Sequence, residues 1–344
     1  MMQDIKELSL KELEDKLLCW GSPKYYARPI YNWIYQKGAY EFSQMSNLPG
    51  PLRKTLTDEF SILNLRLADL QESADGTTKF LLELTDKNLV EAVNIPALKR
   101  STGCISSQVG CKFGCNFCAS ALGGFKRNLT TGEILEEVLY LKNNLKAGQL
   151  THIVFMGTGE PLDNYENVLG AIRLINSPLA FNIGARRITV STCGIIPGIE
   201  RLALEDLQIE LSISLHAADD KTRSQLMPVN KKYPLEALIK CCQEYIAKTN
   251  RQITFEYVLI KGVNADLTAA QSLVRLLKDL RLAKVNLIPA NSIPESRINP
   301  ADSAQVFSFK EYLFKAGLNV TLRRPRGQDI DAACGQLRLR HEQD

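Results

Sequence analysis

Histidine is scarce in this chain, whose 344 residues hold only His152, His216 and His341. Long uncharged apolar runs are missing as well. Nothing approaches the roughly 20 residues that a bilayer-spanning helix needs, and the opening MMQDIKELSLKELEDK is charged where a signal peptide would be apolar. The expectation is a cytoplasmic protein with no membrane association. Nine cysteines are too few to scaffold so long a chain with disulfides, and a reducing compartment keeps them as thiols or metal ligands. Any disulfide here should be transient and catalytic. The sequence shows neither an internal repeat nor a low-complexity segment. With 45% hydrophobic and 23% charged residues it reads as a soluble globular protein, able to bury one large core beside a small accessory domain.

Acidic residues are missing locally. From Lys99 to Arg127 stand five basic residues, Lys99, Arg100, Lys112, Lys126 and Arg127, without one Asp or Glu, and Arg323, Arg324 and Arg326 cluster near the C-terminus. The formal net charge of +4 says less than this distribution. The patches read either as a solvated basic face or as a surface for nucleic acid. Both adjoin candidate catalytic cysteines.

Residues 1–72 read as a small helical domain. Ser9 with Glu12 makes a capping box, Leu10, Leu13 and Leu17 form one apolar stripe, and Gly21 is placed to stop the helix. A second helix carries Ile30, Trp33 and Ile34 as far as Gly38, and a third follows Pro49 and Pro51 with Leu52, Leu56 and Phe60. Tyr25, Tyr26, Tyr31, Trp33, Tyr35 and Tyr40, mixed with Lys24, Arg28 and Lys37, make either a small core or a cradle for RNA bases, the core being the commoner use. Residues 73–98 read as a β-hairpin around Asp86-Lys87-Asn88. Residues 99–318 alternate strand and helix patterns, with strands at 152–157, 186–194, 209–216, 253–260 and 284–291, and a last strand at 319–324 opens the C-terminal segment 319–344. Apolar, β-branched strands separated by helices pair in parallel with the helices outside. The fold class is therefore α/β, an incomplete barrel of six or so βα units with a helical N-terminal domain and a hairpin extension. Function in such barrels gathers at the C-terminal ends of the strands. Cys19, Cys241 and Cys242 sit in apolar helical patterns and read as packing.

The run Cys111-Lys112-Phe113-Gly114-Cys115-Asn116-Phe117-Cys118 brings three thiols onto one short loop. Thiolates are soft ligands that suit iron–sulfur clusters and zinc. A structural zinc site would want a fourth Cys or His nearby, and the nearest candidate is Cys104. A four-iron cluster held by three thiolates keeps one iron open for a substrate or cofactor. The CxxxCxxC spacing resembles that of the radical S-adenosylmethionine (SAM) enzymes, in which SAM chelates the open iron.

Other polar groups stand at strand ends. Gly157-Thr158-Gly159-Glu160-Pro161 follows the strand at 152–157, its glycines permitting close backbone approach and Glu160 offering a carboxylate. Ser191-Thr192-Cys193-Gly194, then Ser214-Leu215-His216, then Asn291 close later strands. Singly, His216 reads as a structural histidine; together these groups read as a ligand pocket. Near the end, Asp329-Ile330-Asp331-Ala332-Ala333-Cys334-Gly335 surrounds an isolated cysteine with small and acidic residues. Cys334 reads as a positioned nucleophile or as one more buried thiol.

Taken with these, the run Gln108 to Leu129, FMGTGEPL, the STCG and SLHA turns, PVNKKY, VNLIPAN and RGQDIDAACGQL resemble the RlmN/Cfr family of radical SAM RNA methyltransferases, in order and spacing over nearly the whole chain. The resemblance implies a radical SAM partial barrel with a 4Fe–4S cluster on Cys111, Cys115 and Cys118. It implies SAM contacts at Gly159, Glu160, Ser191, Ser214, Leu215, His216 and Asn291. It further implies a methyl-carrying Cys334, a second catalytic cysteine at Cys104 and a proton acceptor at Glu91. Two departures stand beside the SAM positions: Thr158 where the family often has Met, and Ala290 where many members have Trp.

By the same resemblance, one SAM methylates the Cys334 thiolate by displacement. A second is reductively cleaved, and the radical so formed takes hydrogen from the S-methyl group, whose carbon then adds to an adenine ring. Loss of the ring proton to Glu91 and attack by Cys104 on the Cys334 sulfur release the product and leave a disulfide. The implied partners are 23S ribosomal RNA, a subset of transfer RNAs and an electron donor such as flavodoxin or ferredoxin, acting on a monomer. The stretch 323–329 favours methylation of C2 over the C8 of the Cfr branch. The competing reading from another class is a non-catalytic iron–sulfur protein that binds RNA or senses redox state.

Overall fold

The computed structural model describes residues 2–146, 148–290, 299–323, 326–327, 329–330 and 336–343. Their organising feature is one ten-stranded sheet. Its strands, in chain order, are β1 (Arg66–Glu72), β2 (Thr78–Glu83), β3 (Leu89–Ala97), β4 (Arg100–Cys104), β5 (His152–Phe155), β6 (Ile188–Thr192), β7 (Glu210–Ser214), β8 (Ile253–Leu259), β9 (Ala283–Pro289) and β10 (Asn319–Leu322). Neighbours in the sheet are neighbours in this list. Strands β1 to β4 pair antiparallel, and from β4 to β10 every pairing is parallel. Short antiparallel links need only turns, whereas each parallel step needs a crossover, and helices such as Thr131–Asn143, Tyr165–Asn176 and Leu235–Thr249 supply it.

Every strand expected from 152 onward is present, and so is the hairpin, with Leu84 and Lys87 closing its turn (Lys87 N to Leu84 O, 3.0 Å). Two features differ from the sequence reading. Arg66–Glu72, placed by that reading in the helical domain, is already a sheet strand. Arg100–Cys104 is the first parallel strand, although Arg-Ser-Thr-Gly-Cys carries none of the β-branched apolar pattern that marked the others. Gly103 explains part of this, because a Cβ there would lie 2.9 Å from Leu141 Cδ1. Close packing under a helix has replaced side-chain bulk.

Alternation along β5 to β9 assigns the two faces. Ile153, Phe155, Ile188, Val190, Leu211, Ile213, Phe255, Tyr257, Val285 and Leu287 are buried in the continuous apolar core. The opposite, concave face carries Val154, Ser191, Ser212, Ser214, Glu256 and Asn286, with Ser191 opposite Ser212, Ser214 opposite Glu256 and Glu256 opposite Asn286. An incomplete barrel with a polar interior results.

The helical N-terminus forms as its capping signals dictate. Ser9 Oγ accepts from Glu12 N (3.2 Å) while Ser9 N donates to Glu12 Oε2 (2.7 Å), Leu13 and Leu17 are buried, and Gly21 at φ 67° ends the helix Leu10–Cys19. Cys19 is exposed, which corrects its reading as a packing residue: it lies on the solvent side of the stripe. The tyrosines divide between the two proposed uses. Tyr31 and Tyr35 are core, whereas Tyr25 (61% exposed) stacks on Tyr26 and Tyr40 is half in water. Lys6, fully buried, pairs with Asp4 of its own unit (2.8 Å) and ties that unit to the barrel helix Thr131–Asn143 through Glu136 (3.0 Å).

Candidate active site

The cysteine loop leaves β4 at its C-terminal end and is framed by its own two-stranded ribbon, Gln108–Gly110 against Phe125–Asn128. Gly110 (φ 75°) is obligatory there, since a Cβ would sit 1.7 Å from Gly124 O. Cys111, Cys115 and Cys118 are half-buried on this loop, and the electrostatic coupling of Cys111 and Cys115 to Cys118 places the three together. Burial pushes the Cys111 thiol up to about 12 and raises Cys115 further. Such thiols are poor nucleophiles at neutral pH and become thiolates when a metal takes them. Among the described residues no three His, Cys, Asp or Glu side chains close on the spacing of one metal ion. The three-thiol set fits a cluster, in which each thiolate holds a different iron.

Glu160 stands beside this loop, buried, with Oε2 accepting from Cys193 N (2.7 Å) and Oε1 from Leu162 N (3.0 Å). Burial raises its carboxyl, and these donors oppose the rise. Its own N–H donates to Gln108 Oε1 (2.9 Å), so the motif after β5 is latched to the start of the cysteine loop. Gly159 makes the latch possible: at φ 104° its Cα lies so close that a Cβ would fall 2.5 Å from Gln108 Cβ. Thr158 Oγ1 is buried without a partner, an orphan acceptor and donor between Glu160 and the loop. Ala290, the second departure from the family pattern, packs with Cys193, Leu226, Met227 and Ile260.

His216 adopts φ 58°, and its Nδ1 accepts from Val258 N (3.1 Å), which fixes the proton of the neutral ring on Nε2. Its ring meets Phe117 of the cysteine loop edge-on at 4.7 Å. Burial, with Arg223 adding, lowers its pKa to about 3. The unfolded chain therefore takes up a proton near pH 6.5 that the folded chain refuses. The stability this contributes is whole above pH 6.5 and is lost as pH falls toward 3, about 3 kcal/mol of it by pH 4. Urea denaturation of the wild type and of His216→Asn, whose side chain can still accept from Val258, should show a shallower acid loss in the variant. Identical pH dependence of the two would refute the assignment.

The structure brings most of the expected residues to one side. Ser191 and Ser214 lie on the concave face, and Leu215, fully buried, donates its N–H to Glu256 O (3.0 Å). Cys104 pairs with Val93 of β3 and with Val154 of β5, so its side chain also lies on the concave face. Glu91, two residues from Val93, sits diagonally across from it. Glu91 is held by Lys79 (3.0 Å) and accepts from Arg338 N (2.8 Å) in the helix Gln336–Gln343. Asn291 and Cys334 lie outside the described residues. Against the same face lies a cavity of about 360 Å³ whose lining includes Arg100, Thr102, Glu256, Asn286, Arg323 and Arg326. Burial raises the Glu256 carboxyl, and Asn286 Nδ2 donates to it (2.7 Å). One central residue left no sequence signal: Arg223, a lone arginine in the short helix before PVNKKY, fully buried at the centre of the strand ends.

Comparison with known proteins places this geometry. Residues 105–270 match the radical SAM superfamily, and residues 3–62 match the N-terminal domain of ribosomal RNA large subunit methyltransferases. The chain is 46% identical over 343 residues to the probable dual-specificity RNA methyltransferase RlmN of Staphylococcus aureus (strain bovine RF122 / ET3-1), covering 99% of this chain and 94% of that one. Its identity to the counterpart from Staphylococcus carnosus (strain TM300) is 45% over the same coverage. A crystal structure of a radical SAM methyltransferase from Sphaerobacter thermophilus superposes with TM-score 0.94 at 41% identity, covering 97% of this chain and 98% of that one.

Proposed function

Because the chain belongs to the RlmN family of radical SAM RNA methyltransferases, we propose that it methylates C2 of adenine in 23S ribosomal RNA and in a subset of transfer RNAs. RNA is the substrate class of the family, and a 4Fe–4S cluster with SAM is its cofactor set. Bound at Cys111, Cys115 and Cys118, the cluster with SAM supplies radical chemistry that polar displacement cannot, since C2 of adenine is too weak a nucleophile to attack the methyl group of SAM. Gly159, Glu160, Ser191, Ser214, Leu215, His216 and Asn291 hold SAM: Glu160 takes its ammonium, and the serines and Asn291 take hydroxyls and the carboxylate. Cys334 carries the methyl group on its sulfur. Cys104 breaks the resulting link to RNA by attacking that sulfur, and Glu91 takes the ring proton.

The observation that supports this reading best is the convergence of Cys104, Glu91, Ser191 and Ser214 on one concave face, with the cysteine loop leaving the same strand as Cys104. The helical unit before β1 acts as an RNA-binding accessory, with exposed Tyr25 and Tyr40 and the Lys37 ammonium seated over the half-buried Trp33 ring (3.6 Å from Nζ to the ring centre) to meet bases. The hairpin links it to the barrel, and the C-terminal segment 319–344, which opens with β10, brings in Cys334. The protein acts in the cytoplasm as a monomer and draws electrons from a flavodoxin or ferredoxin. No helix among the described residues is long and apolar enough to cross a membrane.

Mass spectrometry of nucleosides from RNA of cells expressing the chain, against cells lacking it, tests the proposal. 2-Methyladenosine in both ribosomal and transfer RNA is expected. 8-Methyladenosine in its place would move the chain to the Cfr branch, and no methylated adenosine would favour the non-catalytic reading.

A further inference from the structure

Arg223 is among the largest fully buried side chains of the protein, and among the described residues no carboxylate pairs with it at contact distance. Nε donates to Leu215 O (3.1 Å), Nη1 to Asn230 Oδ1 (2.8 Å) and Tyr233 O (3.5 Å), and Nη2 to Cys193 O (2.8 Å) and Ser214 O (3.2 Å). All of these acceptors are neutral. The Asp220 carboxylate acts on it from further off, and its Oδ1 is already taken by Asn230 Nδ2 (2.8 Å) and Leu235 N (2.9 Å). A buried unpaired charge costs several kcal/mol, and bonds to neutral carbonyls offset only part of that. A residue needed only to tie strand ends together would not have to be charged.

The surroundings indicate where the balancing negative charge comes from. The helix carrying Arg223, Asp220–Leu226, is clamped to the cysteine loop by Asn116 N donating to Leu226 O (3.0 Å) and by Asn116 Nδ2 donating to Gln225 O. Phe113, Cys115 and Phe117 pack against Cys193, Leu226 and Met227. The guanidinium is electrostatically coupled to the Cys115 and Cys193 thiols. Loading the loop converts three half-buried thiols into a group bearing three thiolates, and adding one electron makes that group more negative still.

We propose that Arg223 is a fixed counter-charge for the cluster, positioned to favour its one-electron reduction, as well as a tie between the ends of β6 and β7. The proposal rests on the reading that Cys111, Cys115 and Cys118 hold a four-iron cluster. The electron comes from an external donor of the flavodoxin or ferredoxin class, and no bond to Arg223 forms or breaks.

The test is a potentiometric titration of the reconstituted, SAM-free protein, following the reduced cluster by electron paramagnetic resonance in the wild type, Arg223→Gln and Arg223→Lys. Both variants lose part of the guanidinium fork, so both should melt earlier. Only Gln loses the charge. At the wild-type midpoint potential, the ratio of reduced to oxidised cluster should fall about tenfold in Arg223→Gln, equivalent to about 59 mV for one electron, and should change less than about threefold in Arg223→Lys. Equal shifts in the two variants, or a wild-type ratio in Arg223→Gln, would overturn the proposal. Should Arg223→Gln fail to fold, Arg223→Lys decides: a preserved ratio with lowered melting temperature supports the counter-charge, and a tenfold shift overturns it. Iron and sulfide analysis separates the two levels of the argument. A wild type that takes up no four-iron cluster removes the underlying reading, whereas a loaded cluster indifferent to residue 223 removes only the role of Arg223.

Discussion

Replacing Cys334 by Ala is expected to abolish RNA methylation by a factor on the order of 10³ or more, and replacing Cys104 by Ala to abolish it in a different way, with protein and RNA left covalently joined. A methyl carbon that reaches adenine by way of a protein sulfur stays attached to that sulfur once the new carbon–carbon bond has formed. Release needs a second thiolate to attack the sulfur: the S–S bond forms as the S–C bond breaks, the departing carbon takes up a proton to become the methyl group, and the product side of that step is a disulfide and free methylated RNA. Without Cys334 no carbon is loaded. Without Cys104 the carbon is loaded and transferred, but the bond to RNA persists. Cys104 is suited to the second role by its place at the C-terminal end of β4, buried on the concave face and diagonal to Glu91. Peptide mass spectrometry should find methylated Cys334 in the wild type and an RNA-shifted band on a denaturing gel for Cys104→Ala. Methylated, freely released RNA from Cys104→Ala would exclude this cysteine from release, and methylated RNA from Cys334→Ala would exclude the proposed carrier.

How far the sequence could be read depended on whether a residue's job leaves a local pattern. The capping box at Ser9 and Glu12, the β-branched runs of β5 to β9 and the cysteine spacing all encode short-range physics, and each was legible. Strand β4 was not, because its place in the sheet depends on Gly103 fitting beneath Leu141, a contact between distant segments that makes burial with Ser, Thr and Gly favourable. Arg66–Glu72 was missed for a related reason: an edge strand with one exposed face carries Arg, Asp, Gln and Glu and shows little apolar alternation. Arg223 lies at the far end of this scale. Its partners come from β6, β7 and the PVNKKY segment, so nothing near it in sequence distinguishes it from a solvated helix arginine. The role proposed for Glu91 rests on family resemblance alone, since a single carboxylate on a strand has no chemical signature of its own.

Lys79→Met is expected to destabilise the fold by about 3–5 kcal/mol, because it leaves the Glu91 carboxylate buried without the ammonium that faces it at 3.0 Å. Both side chains are essentially excluded from water, so screening does little to soften the loss. Glu91→Gln alone takes the carboxylate charge away from Lys79, and the double variant should recover much of the loss, giving a coupling energy of about 2–3 kcal/mol in a double-mutant cycle followed by urea denaturation. Additive single effects would show that the pair contributes nothing beyond its separate members. The consequence extends to catalysis. Glu91 Oε1 also accepts from Arg338 N (2.8 Å) in the first turn of the helix Gln336–Gln343, which begins two residues after Cys334. In this arrangement the carboxylate is engaged by a cation and a helix N–H, so its service as proton acceptor requires one of these partners to give way when RNA enters. Glu91→Gln should accordingly slow proton loss from the ring while sparing the methylation of Cys334, which needs no base at that position. A variant that loses both steps equally would assign Glu91 to anchoring the C-terminal helix rather than to proton transfer.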